Sequence, residues 1–291
     1  QAVYPRADLM VVVGSRLRGN ETRNNTMRLP RPLVQIDADA GQAARNYAVD
    51  LFVNADARAA LEGLCERLPA KLDVDPEFLR AVAAARARSE ANLAAALGPY
   101  RVVADALQAR VSAGRHPFVR DVTLANSTFG NRYVQLAAPH LGVHALGGGI
   151  GQGIAMAVGA ALAGAGAKTI ALAGDGGAMV NLGELATAAE TNADIAFILM
   201  NDRGYGVIRN IQDAQFGGRR HYADLRTPDF RLIAAALGLA HQRVSRVQDF
   251  EPALSRALSE SGPRLVEVDM VAIGPFAERF AGPPAGAAGS A

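Results

Sequence analysis

A single cysteine, Cys65, is all the thiol chemistry that this 291-residue chain carries. One cysteine builds no disulfide framework and no thiolate zinc site. It falls in the apolar phase of Ala59-Ala60-Leu61-Glu62-Gly63-Leu64-Cys65, and a core position is expected for it. A dominant charge is also lacking: 30 Lys+Arg against 28 Asp+Glu leave a formal net charge of +2. The arginines are spread along the chain without a basic block, which gives no reason to expect nucleic-acid or membrane partners. The uncharged run from Leu146 to Ala167 is crowded with glycine and alanine and leads straight into a strand, which argues against a membrane span. No register of its glycines spells G-x-G-x-x-G, so the dinucleotide fingerprint is missing. No secretory leader is visible, and a cytoplasmic enzyme is the default expectation. With 50% of the chain apolar, there is enough to bury a large core, in about two domains.

Two strand ends carry the most information. Thr169-Ile170-Ala171-Leu172-Ala173 and Ile195-Ala196-Phe197-Ile198-Leu199-Met200 are short apolar runs that suit buried strands. The first runs into Gly174-Asp175-Gly176-Gly177, the second into Asn201-Asp202-Arg203-Gly204-Tyr205. Between them, Leu182 to Thr191 reads as a helix, with Asn181 and Glu184 spaced as a capping box. Such a β-α-β unit crosses over right-handed with parallel strands, so Asp175 and the Asn201/Asp202 pair emerge at one carboxyl edge. Adjacent strands lie roughly 5 Å apart, close enough for one cation to touch both groups. A hard oxygen donor set suits Mg²⁺ together with phosphate oxygens. Gly176 and Gly177 leave backbone N–H groups able to approach those phosphates.

This pairing resembles the cofactor signature of the thiamine-diphosphate-dependent 2-oxo acid decarboxylase and carboligase superfamily, which includes acetolactate synthases and benzoylformate decarboxylases. The family has Gly-Asp-Gly, a spacer in the mid-twenties, then Asn-Asn; here Asp202 replaces the second asparagine. Leu146-Gly147-Gly148-Gly149-Ile150-Gly151-Gln152-Gly153 and Asn126-Ser127-Thr128-Phe129-Gly130 are two further matches. The resemblance implies an α/β fold with a parallel-sheet thiamine-diphosphate-binding domain preceded by part of a Rossmann-like middle domain. It implies that Asp175, the side chain of Asp202 and the carbonyl of Gly204 hold Mg²⁺. Ile150 would be the wedge that keeps the cofactor bent, and the Gly148 carbonyl would accept from its amino group. Asn126, Ser127 and Thr128, with Gly149, Gly174, Gly176, Gly177 and Tyr205, complete the expected cofactor contacts, Tyr205 as a packing group.

By the same resemblance, residues 1–72 are the second half of the middle domain, 73–98 a helical linker, 99–275 the diphosphate-binding domain and 276–291 a C-terminal tail expected to be mobile. Arg16 matches a flavin-contacting position, but many members keep that domain empty, so FAD stays an alternative. Asn20 and Glu21 match a loop that reaches the substrate in some decarboxylases, and a solvated loop is the preferred reading. The family's pyrimidine-binding domain, with its activating glutamate, has no match here, and we nominate no acidic residue for that role. His140, His144 and His221 are expected to be surface or packing residues. Since the first residue is Gln1 and the opening segment is half a domain, we expect a piece of a longer chain that forms a homodimer or homotetramer acting on a 2-oxo acid. Two alternatives stay open: a non-catalytic thiamine-diphosphate-binding protein, with Asp202 as the symptom, and one subunit of a two-chain decarboxylase.

Overall fold

β-Branched runs set the first sheet. In the computed structural model, which describes residues 2–19, 21–70, 73–164 and 166–282, β1 (Met10–Val13), β2 (Leu33–Asp37) and β3 (Leu51–Asn54) pair in parallel in the order β1-β2-β3. Met10 stands opposite Leu33, and Val34 opposite Leu51. Asn20 and the tail residues 283–291 lie outside the described residues. Helix α1 (Ala57–Arg67) starts where the Asp56 carboxylate accepts the Ala59 N–H, an N-cap. None of its residues is buried. Cys65 is exposed, not in a core as the apolar phase suggested. Leu61 and Leu64 on the same helix are exposed as well, so amphipathic spacing here is not matched by a covering layer among the described residues. Helix α2 (Pro76–Ala96) opens with proline, whose missing N–H costs nothing at that position.

The chain divides into two compact units, one ending at Ala91 and the other comprising Asn92–Gly282. In the second unit, α3 (Arg101–Ala113) leads to β4 (Phe118–Arg120), a wide helical turn over Asn126–Gly130, and β5 (Gly142–His144). There follow α4 (Gly153–Leu162), β6 (Thr169–Gly174), α5 (Asp175–Val180), α6 (Glu184–Glu190), β7 (Ile195–Asn201) and α7 (Gly206–Gln215). The remaining elements are α8 (Phe230–Ala236), β8 (Ala240–Val244), α9 (Phe250–Ser259), β9 (Arg264–Asp269) and α10 (Met270–Ile273). The six strands are all parallel, in the order β5-β4-β6-β7-β9-β8.

Every residue of β6 and of β7 is buried, which is why both read as unbroken apolar runs and not as alternations. Alternation returns in three dimensions. Ile170, Leu172, Ala196, Ile198 and Met200 pack on one face with α3 and α9, and Ala171, Ile195, Phe197 and Leu199 on the other with α4, α6 and α8. Each fully buried Ile, Leu or Phe contributes about 1.5–3 kcal/mol, so this core holds the strand ends of the second unit rigidly. Among the described residues, no helix is long and apolar enough to cross a membrane.

One local expectation is corrected. Helix α6 begins at Glu184 behind Gly183, with no side-chain cap. The Asn181 amide instead donates to the Gly151 carbonyl at 2.7 Å, because α5 and its turn place it against the glycine-rich loop. The Asn126–Gly130 segment is a helical turn, and Asn126, Thr128, Phe129 and Gly130 are buried within it.

Candidate cofactor and metal site

β6 lies between β4 and β7, and Gly174 is in register with Met200, so the carboxyl ends of these strands meet at one edge. Asp175 follows β6 directly and is 1% exposed. Its carboxylate accepts the Gly204 N–H at 2.9 Å and the Asp202 N–H at 3.4 Å, so the loop after β7 folds over it. Burial, and then the nearby Asp202 charge, push the Asp175 carboxyl up to about 7. The Asp202 carboxylate is paired at 2.7 Å with Arg209, from the first turns of α7.

Asn201 turns away from Asp175. Its oxygen accepts the Arg203 N–H at 3.1 Å, which supports the left-handed Arg203 (φ 55°), and its amide donates to Glu267 at 2.7 Å. Glu267, on β9, is 3% exposed, and its other oxygen meets His241 Nε2 of β8 at 2.8 Å. Burial pushes the Glu267 carboxyl up, but the bonds from His241 and Asn201 outweigh this and hold it below its ordinary range. A row of side chains across three adjacent strands thus props the loop from beneath. Glu267 and His241 had no sequence signal: Glu267 is set between Val266 and Val268 of β9, and His241 opens the polar run His241-Gln242-Arg243 of β8, which reads as an ordinary solvated stretch.

The glycine-rich loop has a similar support. Asp121, immediately after β4 and fully buried, accepts the Gly151 N–H at 2.9 Å and the Val122 N–H at 2.8 Å. Burial raises its carboxyl above the ordinary range, partly offset by these N–H groups. With the Asn181 amide on the Gly151 carbonyl, Gly151 is held at both its N–H and its carbonyl. Gly151 has φ +91°, and a Cβ there would meet Val180 at 2.7 Å, so only glycine turns the chain this way. Ile150, next to it, is 38% exposed.

These elements enclose a cleft of about 410 Å³. Ser127, Gly148, Ile150, Gly174, Asp175, Gly176, Gly177, Asp202, Gly204 and Tyr205 all lie on its walls. Asn126, Thr128 and Gly149 do not. The Thr128 hydroxyl donates to the Leu124 carbonyl at 2.9 Å, and buried Asn126 lies against Gly130. In a helical turn successive side chains point in different directions, so only Ser127 of the three faces the cleft. Tyr205 packs its ring over Gly176, where a Cβ would approach to 2.7 Å. Glu21 pairs with Arg18 at the surface, at 2.6 Å.

A glycine-walled cleft with buried carboxylates, at the carboxyl edge of a parallel sheet covered on both faces, defines a cofactor-binding α/β domain. Residues 125–268 match the family model described as "Thiamine pyrophosphate enzyme, C-terminal TPP binding domain", and residues 1–64 match "Thiamine pyrophosphate enzyme, central domain". The chain belongs to the thiamine pyrophosphate enzymes. It is 29% identical to a probable 2-ketoarginine decarboxylase of Pseudomonas aeruginosa, over 90% of this chain and 47% of that protein. It is 26% identical to the acetolactate synthase isozyme 3 large subunit of Escherichia coli, over 92% of this chain and 48% of that protein. To a benzoylformate decarboxylase of Pseudomonas aeruginosa it is 32% identical, over 84% of this chain and 44% of that protein. The chain spans about half the length of these relatives.

Proposed function

We propose that this chain is the cofactor-anchoring part of a thiamine diphosphate- and Mg²⁺-dependent enzyme that acts on 2-oxo acids by decarboxylation, carboligation or both. The observation that carries this is the meeting of Asp175, Asp202 and the Gly204 peptide at the floor of one cleft. The cleft fits the cofactor. Two carboxylates beside a backbone carbonyl are a hard oxygen set suited to Mg²⁺. Asp175 has few neighbours able to satisfy a buried negative charge, and a cation would do so. Gly176 and Gly177 leave peptide groups bare at the start of α5, where a diphosphate is favoured.

In this reading Asp175, Asp202 and the Gly204 carbonyl hold the metal. The N–H groups around Gly176 and Gly177, with the Ser127 hydroxyl, bind the diphosphate. Ile150 and the Gly148 carbonyl orient the cofactor rings, and the Asp121 and Asn181 bonds to Gly151 keep Ile150 in place. When bound, the cofactor supplies an electron sink for cleaving the bond between the carboxyl and carbonyl carbons of a 2-oxo acid. The names of the relatives support this class, since all three are decarboxylases or acetolactate synthases. We assign residues 1–72 to the central domain, 73–98 to a linker, 99–275 to the diphosphate-binding domain and 276–291 to a tail. The full-length protein is proposed to work as a cytoplasmic homodimer or homotetramer.

Replacing Asp175 tests this. In the full-length protein, Asp175→Ala is expected to weaken Mg²⁺-dependent thiamine diphosphate binding by about 100-fold or more, beyond what loss of an outer ligand contact costs. A calorimetric titration that gave unchanged affinity would remove the reading.

A further inference from the structure

By the resemblance described above, Asp202 stands where an asparagine is expected. An asparagine there would leave one negative charge, on Asp175; the aspartate makes two, both in a cleft that excludes much of the solvent. Arg209 answers the second. Its Nη2 lies 2.7 Å from Asp202 Oδ2 and donates to the Asp202 backbone carbonyl, also at 2.7 Å, so one guanidinium grips the residue at two atoms. Nη1 reaches the exposed Asp224 at only 3.4 Å. The Arg209 and Asp202 side chains are 20% and 16% exposed, which makes their pairing far less screened than the surface pairs elsewhere in the chain.

Room for this pair is provided by glycine on both sides. A Cβ at Gly206 would overlap the Asp202 carboxylate, and a Cβ at Gly204 would approach Arg209 Cζ to 3.2 Å. Two carboxylates and one guanidinium sum to a single negative charge, the same as one carboxylate and one amide.

We propose that Arg209 is the built-in counter-ion of Asp202, a positioning residue that keeps the cation site at one net negative charge. This rests on the cation site proposed above. It also removes the reason to read Asp202 as a sign of lost catalysis, because the charge that the cation meets is unchanged.

The test is a double-mutant cycle in the full-length protein loaded with thiamine diphosphate, with Mn²⁺ as the probe and free Mn²⁺ read by electron paramagnetic resonance. Arg209→Met leaves two uncompensated carboxylates, and the Mn²⁺ dissociation constant is expected to fall about tenfold, the order set by one added unit charge at this range. Asp202→Asn leaves Arg209 unpaired and should raise it about tenfold. The double variant, Asp202→Asn with Arg209→Met, restores the single charge and should return within about threefold of wild type. Arg209→Lys, which keeps the charge but not the two-point grip, should stay within the same range. A merely structural Arg209 would give weaker Mn²⁺ binding in Arg209→Met and no rescue in the double variant, and that result overturns the proposal. If Arg209→Met does not fold, the double variant decides alone: affinity near wild type supports the counter-ion role, and a loss beyond about tenfold overturns it. Wild-type protein that takes up thiamine diphosphate but no Mn²⁺ overturns the cation site itself, and the counter-ion with it.

Discussion

Asp37 and Asp175 both close an apolar strand of a parallel sheet, yet they live in different chemical worlds. Asp37 ends β2 beside an open polar cleft with Gly14, Ser15 and Arg16, and its carboxylate merely accepts the Asp39 N–H at 2.9 Å. Asp175 is 1% exposed and clasped by the loop after β7. The strands are alike, and the covering differs. Helices on both faces of the six-stranded sheet bury its edge residues, whereas helix α1 of the first unit buries none of its own. A carboxylate after a strand has its proton affinity raised where the layers around it exclude water.

Removing a buried support is the strongest way to test that contrast. Glu267→Ala leaves His241 and the Asn201 amide without their shared partner in the core, and a loss of about 3–5 kcal/mol in urea unfolding is expected. A loss below about 1 kcal/mol, the range of an exposed pair, would mean that the second edge is no drier than the first.

The proton on Asp175 gives the next effect. A carboxyl whose folded-state pKa is raised to about 7 holds its proton more tightly folded than unfolded. It therefore supports stability below about pH 4, and that support is lost as pH rises to about 7. Without divalent cations, Asp175→Asn should match wild type near pH 4 and become the more stable form by about 4 kcal/mol at pH 8. Parallel thermal melts of the two proteins across that range would settle it; curves that stay parallel would show Asp175 titrating as an ordinary surface acid.

Glycine replacements make the smallest and most direct comparison. An added Cβ at Gly204 would overlap the Ala223 carbonyl oxygen, a backbone atom that cannot rotate away, and Gly204→Ala should cost about 1–3 kcal/mol. At Gly14, φ is +62° but nothing lies within 4 Å of the added atom. Gly14→Ala should cost about 1 kcal/mol, from backbone strain alone. Equal costs in denaturant melts would erase the distinction between a crowded edge and an open one.

Much of the framework was legible from residues alone. The apolar runs read as strands at 169–173 and 195–200 are β6 and β7 to within a residue. Errors came where a local pattern had two uses. Asn181 with Glu184 has capping-box spacing, but its amide serves the Gly151 carbonyl, 30 residues away in sequence. Cys65 has core phase on a helix whose apolar side is open.

The sequence by itself determined that two buried strands end at Asp175 and at Asn201-Asp202, that they run parallel, and that Asp175 and Asp202 share an edge. Apolar periodicity and the right-handed crossover are rules about neighbouring elements, and they act before any long-range packing is known. Only the tertiary structure decided what surrounds those carboxylates: Arg209 on Asp202, Glu267 and His241 beneath Asn201, Asp121 behind Gly151, and Ser127 turned to the cleft while Asn126 and Thr128 are not. These contacts depend on helix phase and strand register between segments 7 to 66 residues apart. A lone polar side chain leaves no periodic trace of which distant partner will reach it.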